Sequence, residues 1–193
     1  LGVPLDVPGL GRITVDTAFG GDSFVVVDPV ALGVDLIEDN ARQIAELGIR
    51  ITNAANAQFR FEHPEKPDWA HHSFCLFAGP ITREGTALRA QSVVAIQPGK
   101  LDRSPTGTAV SARMAILAAR GEMGEDDRFT GVSIIGSEFH GRILGRVQIG
   151  ELDAIRPEIS GRAWITGTAQ HMLDPSDPWP GGYRLSDTWP RIG

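Results

Sequence analysis

A short loop ahead of an alanine-rich stretch holds the residues with the clearest chemical meaning. The loop, residues 102–108, reads Asp-Arg-Ser-Pro-Thr-Gly-Thr and runs into residues 109–120, where alanine, leucine and methionine favour a helix. A helix start presents unpaired backbone N–H groups and the positive end of the helix dipole. Because small residues let an anion approach that backbone, Gly107 and Thr108 are candidates to bind a carboxylate or a phosphate.

The same loop has plainer interpretations. It is also what an ordinary capped helix looks like, with Ser104 or Thr106 as the N-cap residue. Asp102, just upstream, is placed to pair with a cationic nitrogen of a ligand. The alternative for this aspartate is a solvated turn residue or a partner for Arg103.

A hydrolase of the Gly-Asp-Ser type is weakly indicated elsewhere. Residues 20–23 read Gly-Gly-Asp-Ser, and Asp68 and His71 form an Asp-x-x-His pair. That class of hydrolase carries its Asp-x-x-His near the C-terminus, whereas this pair comes early. The chain also has no Gly-x-Ser-x-Gly elbow, no Walker loop and no Gly-x-Gly-x-x-Gly fingerprint.

Metal binding and thiol chemistry are weakly indicated too. His63, Asp68, His71 and His72 form a loose group, but adjacent histidines in an extended chain point to opposite faces. Cys75 lies in an apolar stretch that predicts a buried structural thiol, because a reactive thiolate needs an electropositive and partly exposed setting. We expect neither a metal nor a cofactor.

Composition narrows the class of protein. The chain has 193 residues, a formal charge of −6, 41% hydrophobic residues and one cysteine. It can bury a core, cannot form an internal disulfide, and has no apolar run of the roughly 18 residues that a membrane span needs. The acidity argues against nucleic-acid binding. We expect a cytoplasmic protein and, because the chain opens without methionine, one part of a longer protein.

The elements that would position the loop follow from local patterning. Alternation predicts a hairpin of strands 12–18 and 24–28, and apolar spacing predicts a helix over 35–58 with a break at Gly48. The second helix, 109–120, is apolar almost all round and should be buried on most sides. We therefore predict an α+β domain with strands around a buried central helix. Further predicted elements are strands 73–78, 90–97, 132–135, 142–149 and 163–168, and a turn at 82–85.

Segments along almost the whole chain resemble the proline racemase family. The 102–108 loop is similar to that family's Asp-Arg-Ser-Pro-Cys-Gly-Thr loop, which is highly specific. Other similar segments support it by their order, namely 15–24, 111–115, 135–141, 160–167 and 174–179. The resemblance implies a fold of the diaminopimelate-epimerase type, in which two lobes enclose the substrate. Residues 1–193 would form the second lobe.

The chain departs from the family in two ways. Thr106 stands where the family has a cysteine, and the family's earlier Cys-Gly-His segment has no counterpart. Racemisation needs one acid/base group on each face of the α-carbon, and a threonine hydroxyl is too weak an acid to ionise near neutrality. One remaining base would still allow a neighbouring hydroxyl to leave, and threonine here is the family's pattern for trans-3-hydroxy-L-proline dehydratases.

The resemblance implies a role for each loop residue. Asp102 would hold the ring nitrogen of hydroxyproline, and the N–H groups of Gly107 and Thr108 would bind its carboxylate. Thr106 would orient or protonate the leaving hydroxyl, and the product would be pyrroline-2-carboxylate. The spacing does not fix whether His72 matches a family histidine.

Partners and alternatives follow from the same resemblance. The expected partners are the amino acid and the protein's own N-terminal lobe, with a homodimer left open. Without that lobe we expect the chain to be inactive. The alternatives are a proline racemase or hydroxyproline 2-epimerase that tolerates threonine, and a binding protein that has lost the chemistry.

Overall fold

The computed structural model describes residues 1–183, which contain ten strands and two α-helices. Most of the strands are short and follow apolar or β-branched stretches of the sequence. The strands are β1 Val3–Val7, β2 Gly11–Phe19, β3 Ser23–Val27, β4 Phe74–Ala78, β5 Thr82–Glu84, β6 Ala87–Ile96, β7 Lys100–Leu101, β8 Arg128–Val132, β9 Glu138–Ile149 and β10 Leu152–Gly161. The helices are α1 Ala41–Gln58 and α2 Gly107–Ala119, and a 3-10 turn at Glu38–Asn40 precedes α1.

The strands form one mixed sheet. Its order is β1-β2-β3-β4-β6-β8-β9-β10, with β5 and β7 each paired to β6. The pairs β3–β4 and β6–β8 are parallel and the others are antiparallel. The predicted hairpin of β2 and β3 is confirmed, with Thr17 opposite Val25. The architecture is therefore mixed α+β, as the sequence predicts.

Strands β3 and β4 are buried on both faces, which explains their continuous apolar sequence. Val25 and Phe77 belong to the cluster that includes the buried side of α1. Their neighbours Val26 and Leu76 belong to the cluster that includes one side of α2. Since successive side chains of a strand point to opposite faces, the two helices cover opposite faces of this part of the sheet.

The predicted break at Gly48 is wrong. Helix α1 is continuous from Ala41 to Gln58, and Gly48 is buried inside it. A Cβ at this position would lie 2.3 Å from the Cβ of Ala95 and 3.0 Å from the ring of Phe77. The glycine therefore permits close packing of the helix on the sheet, which sequence patterning alone does not distinguish from a helix breaker.

Helix α2 packs on two sides. Ala109, Ala112 and Ile116 join the cluster with β3, β4 and β6, whereas Val110, Met114 and Leu117 join a second cluster with β6, β8 and β9. At the C-terminal end of the helix, Arg120 forms an ion pair of 2.6 Å with Asp16 in β2. These contacts fix the direction of the helix and hence the place of its first turn.

Other predicted elements differ from the structure. Residues 82–84 form a short strand on β6 rather than a turn, and β8 ends at Val132, where the sequence predicts a strand to begin. Residues 163–168 form neither a helix nor a strand. Residues 1–162 make one compact unit and a second unit begins at Ala163. Neither helix of residues 1–183 combines the length and apolarity required to cross a bilayer.

Candidate functional site

The 102–108 loop is held by its own polar side chains. The N–H of Asp102 donates to the carbonyl of Val94 in β6 at 3.0 Å, which ties the loop to the sheet. One carboxylate oxygen of Asp102, Oδ1, accepts the N–H of Ser104 at 2.9 Å. The other, Oδ2, accepts the hydroxyl of Thr106 at 2.6 Å. The loop thus brings Asp102 and Thr106 into direct contact, while both remain partly exposed.

Thr106 has an unusual backbone conformation. Its φ is +61°, and it is the only residue other than glycine in the described chain with a positive φ. Such a conformation is strained for a β-branched side chain and persists only where the surroundings hold it. Here the backbone N–H of Thr106 donates to the hydroxyl of Ser104 at 3.1 Å. The strained backbone at Thr106 therefore accompanies the hydrogen bond between its hydroxyl and Asp102.

Thr106 is the N-cap residue of α2, but its side chain does not cap the helix. Thr106 thus occupies the N-cap position that the plainer interpretation allowed, but its hydroxyl is bonded to Asp102 and does not cap the helix. The N–H groups of the first turn, which include those of Gly107 and Thr108, have no partner within the helix. Both residues are partly exposed, so the helix start keeps the features of an anion site.

Two walls flank the helix start. On one side lies the Gly20–Gly21 turn between β2 and β3, where a Cβ on Gly20 would come within 2.1 Å of the Thr108 carbonyl oxygen. On the other side, Ile159 and Phe139 lie near Gly107, since a Cβ there would be 3.9 and 4.0 Å from their side chains. The first turn is thus held between a glycine turn and an apolar wall.

A cavity of about 650 Å³ lies next to Asp102. Asp102 and Arg103 line it together with residues of α1 and Ile134 and Ile135, whereas Thr106, Gly107 and Thr108 do not. The cavity therefore borders the Asp102 end of the loop and not the helix start. At the helix start the structure shows the two hydrogen bonds of Asp102 and a first turn whose N–H groups have no partner within the helix.

His72 is buried beside the end of α1. Its ring is edge-on to Phe59 and Phe61, with centroid separations of 5.2 and 5.6 Å, and its Nδ1 lies 3.3 Å from Asn56 Oδ1. Its Nε2 is buried with no hydrogen-bond partner in the part of the chain described. Burial, and secondarily the nearby His71, lowers the pKa of His72 to about 4. His72 is therefore neutral at pH 7.

The contacts of Ser23 and the burial of Cys75 give both residues structural roles. The hydroxyl of Ser23 donates to the carbonyl of His71 at 2.7 Å and accepts the indole N–H of Trp69 at 2.9 Å, so it is used in holding the loop. Cys75 is completely buried, and burial raises the pKa of its thiol. Residues 1–183 contain no group of three or more His, Cys, Asp or Glu side chains arranged for a metal.

Three contacts of the site were not predicted from the sequence. The hydroxyl of Ser104 supports the backbone of Thr106, and the hydroxyl of Ser137 donates to the Arg103 carbonyl at 3.1 Å. Gly20 packs on the first turn of α2. The spacing of Ser104 and Thr106 is typical of a serine turn and offers a local signal, but the other two contacts join distant segments and have none.

A comparison with family models identifies the class. The proline racemase family model matches residues 1–184. The chain belongs to the proline racemase family.

Two solved structures place it further. A probable proline racemase from Agrobacterium radiobacter K84, with bound carbonate, is 35% identical with a TM-score of 0.80. The match covers 98% of this chain and 54% of that one. A hydroxyproline epimerase from Agrobacterium vitis, with bound trans-4-hydroxy-L-proline, is 33% identical with a TM-score of 0.78. Here the match covers 98% of this chain and 53% of the relative, so the chain spans about half the length of both.

Proposed function

We propose that the protein containing this chain removes water from trans-3-hydroxy-L-proline. A base abstracts the α-proton, the 3-hydroxyl leaves, and the product is pyrroline-2-carboxylate. No cofactor takes part. The observation that carries the proposal is Thr106, whose hydroxyl lies on Asp102 at the start of a helix.

The loop supplies three binding functions in this proposal. Asp102 holds the positively charged ring nitrogen, and the N–H groups of Gly107 and Thr108 bind the carboxylate. Thr106 then lies beside the ring and orients or protonates the leaving hydroxyl. The proposal is supported by the partial exposure of these four residues and by the carbonate and the trans-4-hydroxy-L-proline bound to the two relatives.

The base comes from a second lobe. We place residues 1–193 as one lobe of a diaminopimelate-epimerase-like enzyme, with α2 as its central helix, and assign the opposite lobe to the rest of the protein. The relatives' greater length leaves room for such a lobe. The substrate would then lie between the helix start of α2 and a base on the other lobe.

Racemisation is the second candidate, because the two solved relatives are named as a racemase and an epimerase. Inversion needs a proton donor on each face of the α-carbon. Racemisation runs in both directions, so the group on each face must also accept the α-proton, and a threonine hydroxyl, which is not ionised near neutrality, is a poor proton acceptor. Thr106 therefore favours elimination over inversion.

One experiment separates these functions. The full-length protein is incubated in heavy water with trans-3-hydroxy-L-proline and, separately, with L-proline. We expect pyrroline-2-carboxylate from the first substrate and no D-proline from the second. Inverted proline carrying α-deuterium would establish racemisation instead. Binding of either amino acid without any turnover would establish a non-catalytic protein.

A further inference from the structure

The hydrogen bond between Asp102 and Thr106 determines how Thr106 could protonate a leaving group. In the structure the hydroxyl hydrogen of Thr106 points to Oδ2 of Asp102 across 2.6 Å. In that orientation the hydroxyl accepts hydrogen bonds from other groups but cannot donate one. A protonating role for Thr106 therefore requires a second proton to arrive from Asp102.

We infer that Asp102 and Thr106 form a proton relay that carries a proton from the substrate's ring ammonium to its departing hydroxyl. This inference rests on the proposed dehydration. It assigns Asp102 a chemical step beyond holding the nitrogen. Thr106 then passes the proton from Asp102 to the 3-hydroxyl of the same substrate molecule.

The contacts of Asp102 select the oxygen that takes part. The Ser104 N–H, 2.9 Å from Oδ1, stabilises negative charge on that oxygen. Oδ2 faces Thr106, so a proton that Oδ2 receives from the ring ammonium is the one that Thr106 can pass on. With Oδ2 protonated, the hydrogen bond reverses: Oδ2–H donates to Oγ1 of Thr106, and the threonine hydrogen turns toward the leaving oxygen.

The atoms and charges balance without any further reactant. The base of the other lobe takes the α-proton, and the electron pair left on C2 forms the C2=C3 bond. The C3–O bond breaks with its electron pair on oxygen, which takes the Thr106 proton and leaves as water. Asp102 returns the proton to Thr106 and is itself supplied by the ring ammonium. The products are water and the enamine form of pyrroline-2-carboxylate, with one proton on the base.

The backbone at Thr106 supports this assignment. A threonine at φ +61° is strained, and the Ser104 hydroxyl holds its N–H at 3.1 Å. In this conformation the Thr106 hydroxyl lies within hydrogen-bond reach of Oδ2.

The test uses a leaving group that needs no proton. Fluoride departs from trans-3-fluoro-L-proline as an anion, whereas hydroxide from trans-3-hydroxy-L-proline is a poor leaving group unless protonated. The ratio of kcat/KM for the hydroxy substrate to that for the fluoro substrate therefore isolates the relay from binding and α-proton removal. It is measured on the full-length protein by the loss of water or fluoride.

The variants are Thr106→Val, Thr106→Ser and Asp102→Asn. Valine keeps the β-branched shape without the hydroxyl, and we expect the ratio to fall by at least about 100-fold, the lower range for acid catalysis. Asp102→Asn, which cannot pass a proton, should lower the ratio as well. Thr106→Ser should keep the ratio within a few-fold of wild type. The matched control is Thr130→Val, whose hydroxyl contacts His140 in the β8–β9 pair.

The outcomes distinguish the relay from the proposed function. A wild-type protein that dehydrates hydroxyproline, combined with a Thr106→Val ratio equal to wild type, overturns the relay alone. An equal loss on both substrates in Thr106→Val, with Thr106→Ser active, also overturns it, because the loss would not depend on the leaving group. A wild-type protein that yields no pyrroline from hydroxyproline overturns both.

Discussion

At the scale of single residues, the loop shows how one substitution changes the chemistry that is available. A hydroxyl at position 106 stays protonated at neutral pH, whereas a thiol beside a helix start would ionise readily. The hydroxyl's contact with Asp102, 2.6 Å long, couples it to the carboxylate proposed to bind the ring nitrogen. The proposed outcome is elimination, in which the α-carbon itself receives no proton.

His72 gives the residue-scale prediction on pH. Its pKa is lowered to about 4 in the folded protein, so the unfolded chain, with an ordinary value near 6.5, binds the proton more readily. The contribution to stability is complete above pH 6.5 and is lost as the pH falls toward 4. The full shift corresponds to about 3 kcal/mol. We therefore expect the urea concentration at the unfolding midpoint of the full-length protein to be lower at pH 5 than at pH 7.

The variant His72→Phe should remove much of this acid dependence while keeping the edge-on contacts with Phe59 and Phe61. The control variant is His140→Asn, at an exposed histidine, which should leave the acid dependence of stability unchanged. An unchanged slope in His72→Phe would assign the acid dependence to other groups.

At the scale of elements, the start of α2 is set by a turn from another part of the chain. A Cβ on Gly20 would lie 2.1 Å from the Thr108 carbonyl oxygen and 2.5 Å from the Ala112 nitrogen. Both atoms are backbone and cannot move aside without shifting the helix. The close approach therefore couples the β2–β3 hairpin to the proposed carboxylate site.

We predict that Gly20→Ala lowers the free energy of unfolding by about 2 kcal/mol or more, as overpacking against backbone does. The displaced first turn should also raise the KM for the amino acid. Urea titration and steady-state kinetics measure the two effects. Gly124→Ala is the control, because its Cβ would meet only Asp127 Oδ2 at 3.9 Å. A Gly20→Ala protein with wild-type stability would show that the helix start tolerates movement.

Sequence patterning predicted the elements better than their contacts. The β2–β3 hairpin and α2 follow from local alternation and composition, because such patterns reflect which face is buried. The continuity of α1 through Gly48 and the packing of Gly20 on α2 depend on residues far away in the chain. The strand β10 was missed because its apolar residues do not alternate regularly and Pro157 interrupts it.

The bonding within the 102–108 loop was not predicted from the sequence. The sequence singles out Asp102, Thr106, Gly107 and Thr108 as candidates for a ligand site. Its alternative for the same loop is an ordinary helix start capped by Ser104 or Thr106. The structure shows the Thr106 hydroxyl on Asp102 instead, with Thr106 at a positive φ. Backbone strain of this kind is invisible to propensity, because it is stabilised by the loop's own hydrogen bonds.

At the scale of the whole molecule, this chain supplies only part of what the proposed reaction needs. It spans about half the length of its solved relatives. In the proposal, the 102–108 loop binds and protonates the substrate, and the base belongs to the remainder of the protein. The proposed binding of the amino acid by this chain therefore depends on residues 102–108.

The direct measurement is a crystal structure of the full-length protein with pyrrole-2-carboxylate, a planar analogue of the carbanion. We predict that its carboxylate oxygens lie within hydrogen-bond distance of the N–H groups of Gly107 and Thr108, with the ring nitrogen on Asp102. A ligand bound elsewhere, with the first turn of α2 unoccupied, would contradict the account.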